Sequence, residues 1–325
     1  MTVLLGIDGG GTKTLAAVAD LEGNVLGTAR VGPSNYQSVT EAGAAFALTA
    51  AIDQALQNAG KSRGDIQASA FGLAGFDGVA EAKIVRAVVE RAMGARAGAG
   101  VSFVENDSLL ILRAGTDDGV GVGVVAGTGN NCIGRARDGR RLQIGGMGVV
   151  SGDAGSAPDL ALRIAAAAWR SSDGRAPKSP LVPAILAALG IDHVERLSDR
   201  AEDGRFPDAD VRVLVGALFA AAETQDPVAL GVIEDVALVL ATNAGAAIDG
   251  LDLASADRVV VLGGAVLERY AALRAAIARH IPGADVRVVP APPVAGALLW
   301  AHDALGSSRE ARIAFKARVF DTLRI

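Results

Sequence analysis

Near the start of the chain a run of aliphatics ends in Asp8-Gly9-Gly10-Gly11-Thr12-Lys13-Thr14. An unpaired carboxylate at the end of an apolar strand is expensive to bury, so Asp8 needs compensation. Two arrangements supply it. Asp8-Gly9 is a strong signal for the tight turn of a β-hairpin. Alternatively the turn faces a polyanion: Gly10 and Gly11 let backbone N–H groups approach phosphate, Thr12 and Lys13 add donors, and Asp8 holds a metal ion. The two readings are compatible.

A second glycine–threonine loop, Gly127-Thr128-Gly129, leads into Asn130 and Asn131. Between the two loops, Asp107 follows a strand and precedes a helix. An acid or serine there is a standard N-cap. It is also the place where open α/β sheets bind ligands, beyond the carboxyl ends of their strands. A carboxylate so placed can accept the proton of an attacking hydroxyl in phosphoryl transfer. Both roles are filled if Asp107 is the base and Ser108 the cap. The stretch from Ile144 to Ala157, with Gly145, Gly146 and Asp153, is too glycine-rich for a strand and too apolar for a solvated linker. It reads as a loop passing close to a ligand or another backbone, in which Asp153 taken alone is a turn residue. Ser34-Asn35-Tyr36, after Gly32-Pro33, reads as a turn or as polar groups that recognise hydroxyls.

These residues sit on an α/β framework. Strands are expected at Val3–Ile7, Thr14–Ala19 and Val25–Val31, then a helix from about Val39 to Asn58, a strand Gln67–Leu73, a helix Ala80–Met93 and a strand Val101–Val104. Strand Gly121–Val125, the second glycine–threonine loop, strand Asn131–Arg137 and strand Arg141–Ile144 repeat the opening of the chain. Strand Arg258–Leu262, Gly263-Gly264, a helix Val266–His280, a strand Asp285–Val289 and a helix Pro293–Leu305 close this half. A period this long means duplicated domains and not a solenoid. The expected organisation is a first domain over 1–116, a second over 117–306 with a helical insertion from Ser156 to about Asp249, and a final helix over 307–325 that packs back on the first. Ser171–Pro183 reads as an exposed loop.

Composition narrows the function. A chain of 325 residues with 50% hydrophobic and 21% charged residues supports two cores. Its net charge of −5 lacks the basic footprint that a nucleic-acid or anionic-membrane surface requires. The single cysteine, Cys132, excludes an intramolecular disulfide or a four-cysteine metal site and points to a reducing cytoplasm. No signal peptide is read at the start, and apolar runs such as Ala241–Ile248 fall short of membrane-spanning length. His193, His280 and His302 have no metal-ligand spacing and read as surface or helix-end residues. The G-x-x-x-x-G-K-[ST], G-x-G-x-x-G and G-x-S-x-G patterns are absent.

Taken together, Asp8 to Thr14, Asn106-Asp107, Gly127 to Cys132, Gly145-Gly146-Met147-Gly148 and Gly152-Asp153-Ala154-Gly155-Ser156-Ala157 resemble the motifs of N-acetylglucosamine kinases. These are BadF/BadG/BcrA/BcrD-type ATPases of the actin, Hsp70 and sugar kinase superfamily. The resemblance implies two RNase H-like domains with mixed sheets, closing a central cleft on Mg-ATP and a sugar, and commonly a homodimer. By it, Asp8 positions magnesium through water. Gly10, Gly11, Thr12, Lys13, Thr14, Gly127, Thr128 and Gly129 cradle phosphates, and Gly263 and Gly264 lie along the adenosine. Asp107 activates the sugar 6-hydroxyl, and Ser34, Asn35, Asn130, Asn131, Gly145, Gly146 and Asp153 line the sugar pocket. Met147 stands where the animal enzymes carry tryptophan, Ala154 where they carry glutamate, and Gln37 near another aromatic position. These departures leave phosphoryl transfer intact and keep glucosamine or another amino sugar open as the substrate. A nucleotide-dependent sensor on the same scaffold is the alternative of a different class.

Overall fold

A computed structural model describes residues 2–76, 78–94, 100–289 and 291–323. The chain divides into two compact units, Met1–Gly121 with Arg287–Ile325, and Val122–Val286.

The first unit is built on a five-stranded mixed sheet of order β3-β2-β1-β4-β5. Its strands are β1 (Val3–Gly9), β2 (Thr14–Ala19), β3 (Val25–Val31), β4 (Ile66–Leu73) and β5 (Val101–Glu105). β1 pairs antiparallel with β2 and parallel with β4, and β4 pairs parallel with β5. A strand buried on both faces must be apolar throughout, which is why Val3 to Ile7 reads as a continuous run. Val3, Leu5 and Ile7 pack with residues of the helices Tyr36–Asn58 and Val79–Met93 on one side. Leu4 packs with the helices Ser108–Gly115, Val294–Asp303 and Arg309–Leu323 on the other. Gly6 lies on that second face, where a Cβ would be 2.8 Å from the Leu298 amide nitrogen, so the helix can settle only on a glycine.

The second unit repeats this plan as the order β10-β9-β6-β7-β8. Here β6 (Gly121–Ala126), β7 (Asn130–Arg135) and β8 (Arg141–Ile144) form the meander, and β9 (Val259–Gly263) runs parallel beside β6, followed by β10 (Asp285–Val288). The order matches the first sheet strand for strand, as expected of a duplication. The intervening helices include Ala157–Ser172, Leu181–Leu189, Asp208–Glu223 and Pro227–Gly250, whose apolar faces share one core with β6 and β9.

Three expectations change and a fourth is narrowed. Residues 287–306, assigned to the second domain, belong to the first unit: Val294, Ala295, Ala297, Leu298 and Leu299 fill the second face of the first sheet. Pro227–Gly250 runs 24 residues and is, among the described residues, long and apolar enough to cross a membrane. Its Val232, Val236, Leu240 and Ala244 are instead buried in the core of the second unit. His302 is a helix-end residue, one of the two places expected for it, and it is buried there: it is 3% exposed and stacks on Phe315. Ser171 is the last buried residue of a helix and donates to the Pro177 carbonyl, so the loop expected at 171–183 begins later and is tied down.

Candidate active site

In the first unit the residues singled out gather at the carboxyl ends of β1, β4 and β5. Asp8 stands opposite Gly72 and Gly72 opposite Glu105, so the three form one row across the parallel strands. With strands roughly 4.8 Å apart, Asp8 and the β5 end lie roughly 10 Å from each other. Asp107 follows two residues beyond that row.

The hairpin reading of Asp8-Gly9 is displaced by two residues. Asp8 pairs with Leu15 inside the ladder, Gly9 with Thr14, and the turn itself is Gly10 to Lys13, closed by Gly10 N–H donating to the Lys13 carbonyl at 2.9 Å. Gly11, Thr12 and Lys13 are exposed at its tip and present backbone and side-chain donors to solvent. Thr14 is buried, and its hydroxyl donates to the Gly32 carbonyl at 2.9 Å and lies 2.8 Å from Ser34 Oγ. It acts by shaping the turn. Gly9 is required because a Cβ would run into Ser34 Oγ. The Ser34 and Asn35 amides both donate to the Gly10 carbonyl, at 3.1 and 3.3 Å, which fastens the 34–35 segment to the turn. Asn35 caps the following helix through Oδ1, which accepts the Gln37 N–H at 3.0 Å.

Beyond β5, the cap is made by a residue other than the one expected. Asn106, 1% exposed, accepts the Ser108 N–H on Oδ1 at 2.9 Å and donates from Nδ2 to the Phe76 carbonyl at 3.2 Å. Asp107 makes no side-chain capping bond. Asn106 thus ties the segment after β4 to the turn that carries Asp107. The Asn-Asp pair at a strand end was the available signal for this role. Gly75 was missed: it adopts φ +86°, and a Cβ there would lie 2.8 Å from Asn35 Oδ1.

The second unit presents its own cluster. β6 ends at Ala126, and the loop Gly127-Thr128-Gly129 is closed by Gly127 N–H donating to the Gly129 carbonyl at 2.8 Å. Asn130 opens β7, and its Nδ2 donates to the Ala154 carbonyl at 2.8 Å, joining this loop to the 145–155 segment. Val125 stands opposite Gly263 in the parallel pair. Gly264 then turns with φ +88°, and a Cβ would strike the Ala126 carbonyl. Glycine at 264 therefore lets the β9 end lie against the β6 end.

Asp153 is 8% exposed and accepts from the Gly146 N–H at 3.1 Å, the Gly148 N–H at 2.7 Å and Ser151 Oγ at 2.8 Å. The carboxylate is the centre around which the glycine-rich loop is wound, a role the turn-residue reading understated and in which Ser151 was missed. Gly145 and Gly146 have positive φ, and a Cβ on Gly146 would press on Asn131 and Gln143. At the loop surface Met147 and Val150 are exposed. Cys132 is buried in β7, and burial, with the Asp153 charge adding to it, pushes its thiol up to about 12.

Among the described residues no group of three or more His, Cys, Asp or Glu side chains is arranged to hold a metal.

A family model described as the BadF/BadG/BcrA/BcrD ATPase family matches residues 5–301. The chain belongs to that family. Within reach of this BadF/BadG/BcrA/BcrD ATPase by sequence is an N-acetylmuramic acid/N-acetylglucosamine kinase of Clostridium acetobutylicum, 29% identical over 267 residues, covering 82% of this chain and 86% of the relative. An N-acetyl-D-glucosamine kinase of Dictyostelium discoideum is 26% identical over 92% of this chain and 97% of its own length. A solved structure from Chromobacterium violaceum, provisionally assigned as an N-acetylglucosamine kinase, superposes with a TM-score of 0.65 at 26% identity, covering 93% of this chain and 99% of that one.

Proposed function

We propose that this BadF/BadG/BcrA/BcrD ATPase is an ATP-dependent hexosamine kinase acting on N-acetylglucosamine or a related amino sugar such as glucosamine. The observation that carries the reading is the gathering of Asp8, the Gly10–Lys13 turn, Asn35 and Asp107 at the carboxyl ends of adjacent strands. Relatives acting on amino sugars along nearly the whole chain give it its substrate class.

Asp107 takes the proton of the sugar 6-hydroxyl as that oxygen bonds to the γ-phosphorus and the bond to the ADP oxygen breaks. Asn35 and Ser34, held on the Gly10 carbonyl, orient the sugar beside Asp107, and Asn130, Asn131, Gly145, Gly146 and Asp153 complete its recognition. Thr12, Lys13, Thr128 and the amides of Gly10, Gly11, Gly127 and Gly129 bind the phosphates, and Gly263 and Gly264 leave room for the adenosine. Asp8 is the residue that would hold magnesium brought in with the nucleotide, and the ion would supply neutralisation of phosphate charge. Positioning and charge stabilisation account for most of the acceleration in such reactions. The same reading makes the protein a cytoplasmic homodimer.

The test is ADP release from Mg-ATP by purified protein against N-acetylglucosamine, glucosamine, N-acetylmannosamine, N-acetylmuramic acid and glucose, with Asp107→Asn as control. Sugar-stimulated turnover lost in the control supports the kinase. Nucleotide binding without sugar-stimulated turnover rejects it in favour of a sensor.

A further inference from the structure

Near the end of the helix Val294–Asp303, His302 is buried with its ring stacked on Phe315, 4.1 Å between centroids. Its Nε2 lies 3.4 Å from Ser307 Oγ, and its Nδ1 is buried with no hydrogen-bond partner among the described residues. A neutral imidazole has one N–H to place, and the Ser307 hydroxyl can serve it. An imidazolium has two, and here the second would be held away from water without an acceptor.

The surrounding charges oppose protonation as well. Those acting on the ring, among the described residues, are Asp303 on its own helix, Arg113 on the helix Ser108–Gly115 and Arg312 on the helix Arg309–Leu323. Both Asp303 oxygens already accept from Arg113, at 2.6 and 2.9 Å. Lys316, next to Phe315, is turned to Asp117, 3.6 Å away. The strands that share this core contribute Leu4, Ala17, Ala19, Ala68 and Ala70, none of which titrates. Burial first, and then the two guanidinium groups, hold the imidazole pKa below its ordinary value against the pull of Asp303.

The helix that this ring holds is lightly anchored. Phe315 and Val319 are its buried residues. Arg318 Nη1 donates to the Glu22 carbonyl and Lys316 Nζ to the Thr116 carbonyl, each at 3.3 Å. A terminal helix that buries so little opens more readily than the sheet it covers. We propose that His302 is an acid-sensitive latch, whose protonation frees the helix Arg309–Leu323 from the first unit while the sheet of that unit stays folded. With the helix released, the ring meets water and takes its proton near the ordinary pH of about 6.5. Docked, it does so only at lower pH. Docking is therefore at full strength above about pH 6.5 and weakens as the pH falls below it.

Amide hydrogen exchange of the full chain tests this, read by mass spectrometry at pH 7.5 and 5.5 and corrected for the intrinsic pH dependence of exchange. His302→Phe keeps a ring to stack on Phe315, and His302→Gln keeps a polar group beside Ser307; neither takes a proton. In wild type, opening of residues 309–323 should rise about tenfold from pH 7.5 to 5.5, while the amides of β1 and β4 change by less than about twofold. The rise should vanish in both variants. Each protein is compared with itself at the two pH values, so a general loss of stability in a variant does not mimic the effect. Protection of 309–323 that is the same at both pH values in wild type, an equal loss in β1 and β4, or a rise that persists in either variant overturns the proposal.

Discussion

Asn106 Oδ1 accepts the Ser108 N–H at 2.9 Å, so the helix after β5 is capped by the residue ahead of Asp107. The cap is therefore carried by Asn106 and not by Asp107, the residue proposed as the base. Asp107→Asn should therefore lower sugar-dependent ADP release by roughly 10²-fold or more while changing unfolding free energy by less than about 1 kcal/mol. Steady-state kinetics and urea unfolding on the same preparation check both halves, and undiminished turnover refutes the assignment.

Asn106→Ala has the opposite profile in stability. It removes the cap and leaves the Phe76 carbonyl without this donor, which together should cost about 1–3 kcal/mol by denaturant titration.

Asp153→Asn replaces an acceptor-only group by one with an N–H₂ at one position. Either orientation sets a donor against one of the Gly146, Gly148 or Ser151 donors. The loop should loosen, raising KM for the sugar about tenfold, equivalent to about 1.4 kcal/mol, while nucleotide affinity measured by fluorescence titration stays within about twofold.

Gly264→Ala places a methyl group against the Ala126 carbonyl in a left-handed backbone conformation. The strain alone is about 1–2 kcal/mol. Weaker ATP binding together with a lower thermal midpoint is the expected outcome, and unchanged ATP affinity would separate Gly264 from the nucleotide site.

The Cys132 thiol should resist alkylation at pH 8 in the native protein and react rapidly in urea, because burial holds it protonated. Its folded pKa of about 12 lies above the unfolded 9.0, so the folded state holds the proton more tightly. The associated stability is full below pH 9 and is lost as the pH rises from 9 towards 12. Urea midpoints of wild type and Cys132→Ala across that range should converge as the pH rises.

Local signals were legible wherever a residue's role depends on its immediate neighbours. The aliphatic run into Asp8, the glycine–threonine loops and the repeated meander are all visible without coordinates. The helix expected from about Val39 is also present, but a short helical turn from Tyr36 precedes it, separated by a kink at Thr40, whose φ of 66° no sequence pattern announces. Asp8-Gly9 is a turn signal by residue type, one of two compatible readings of that stretch, but the register carries Asp8 into the ladder and puts the turn at Gly10–Lys13.

By itself, then, the order of glycines, acids and aliphatic runs determined the mixed α/β plan, its duplication and where the two glycine–threonine loops fall, because strand periodicity and turn chemistry are short-range. The tertiary structure decided the rest. Which sheet the helix Val294–Asp303 covers depends on a cavity-free fit between Gly6 and Leu298, residues almost the whole chain apart. That Asn106 Nδ2 reaches the Phe76 carbonyl, and that Asn130 Nδ2 reaches the Ala154 carbonyl, depends on acceptors 30 and 24 residues away in the sequence being brought within hydrogen-bond distance by folding. Hydrogen bonds and close packing are specific only at contact distance, and contacts between distant segments are what the linear order leaves open.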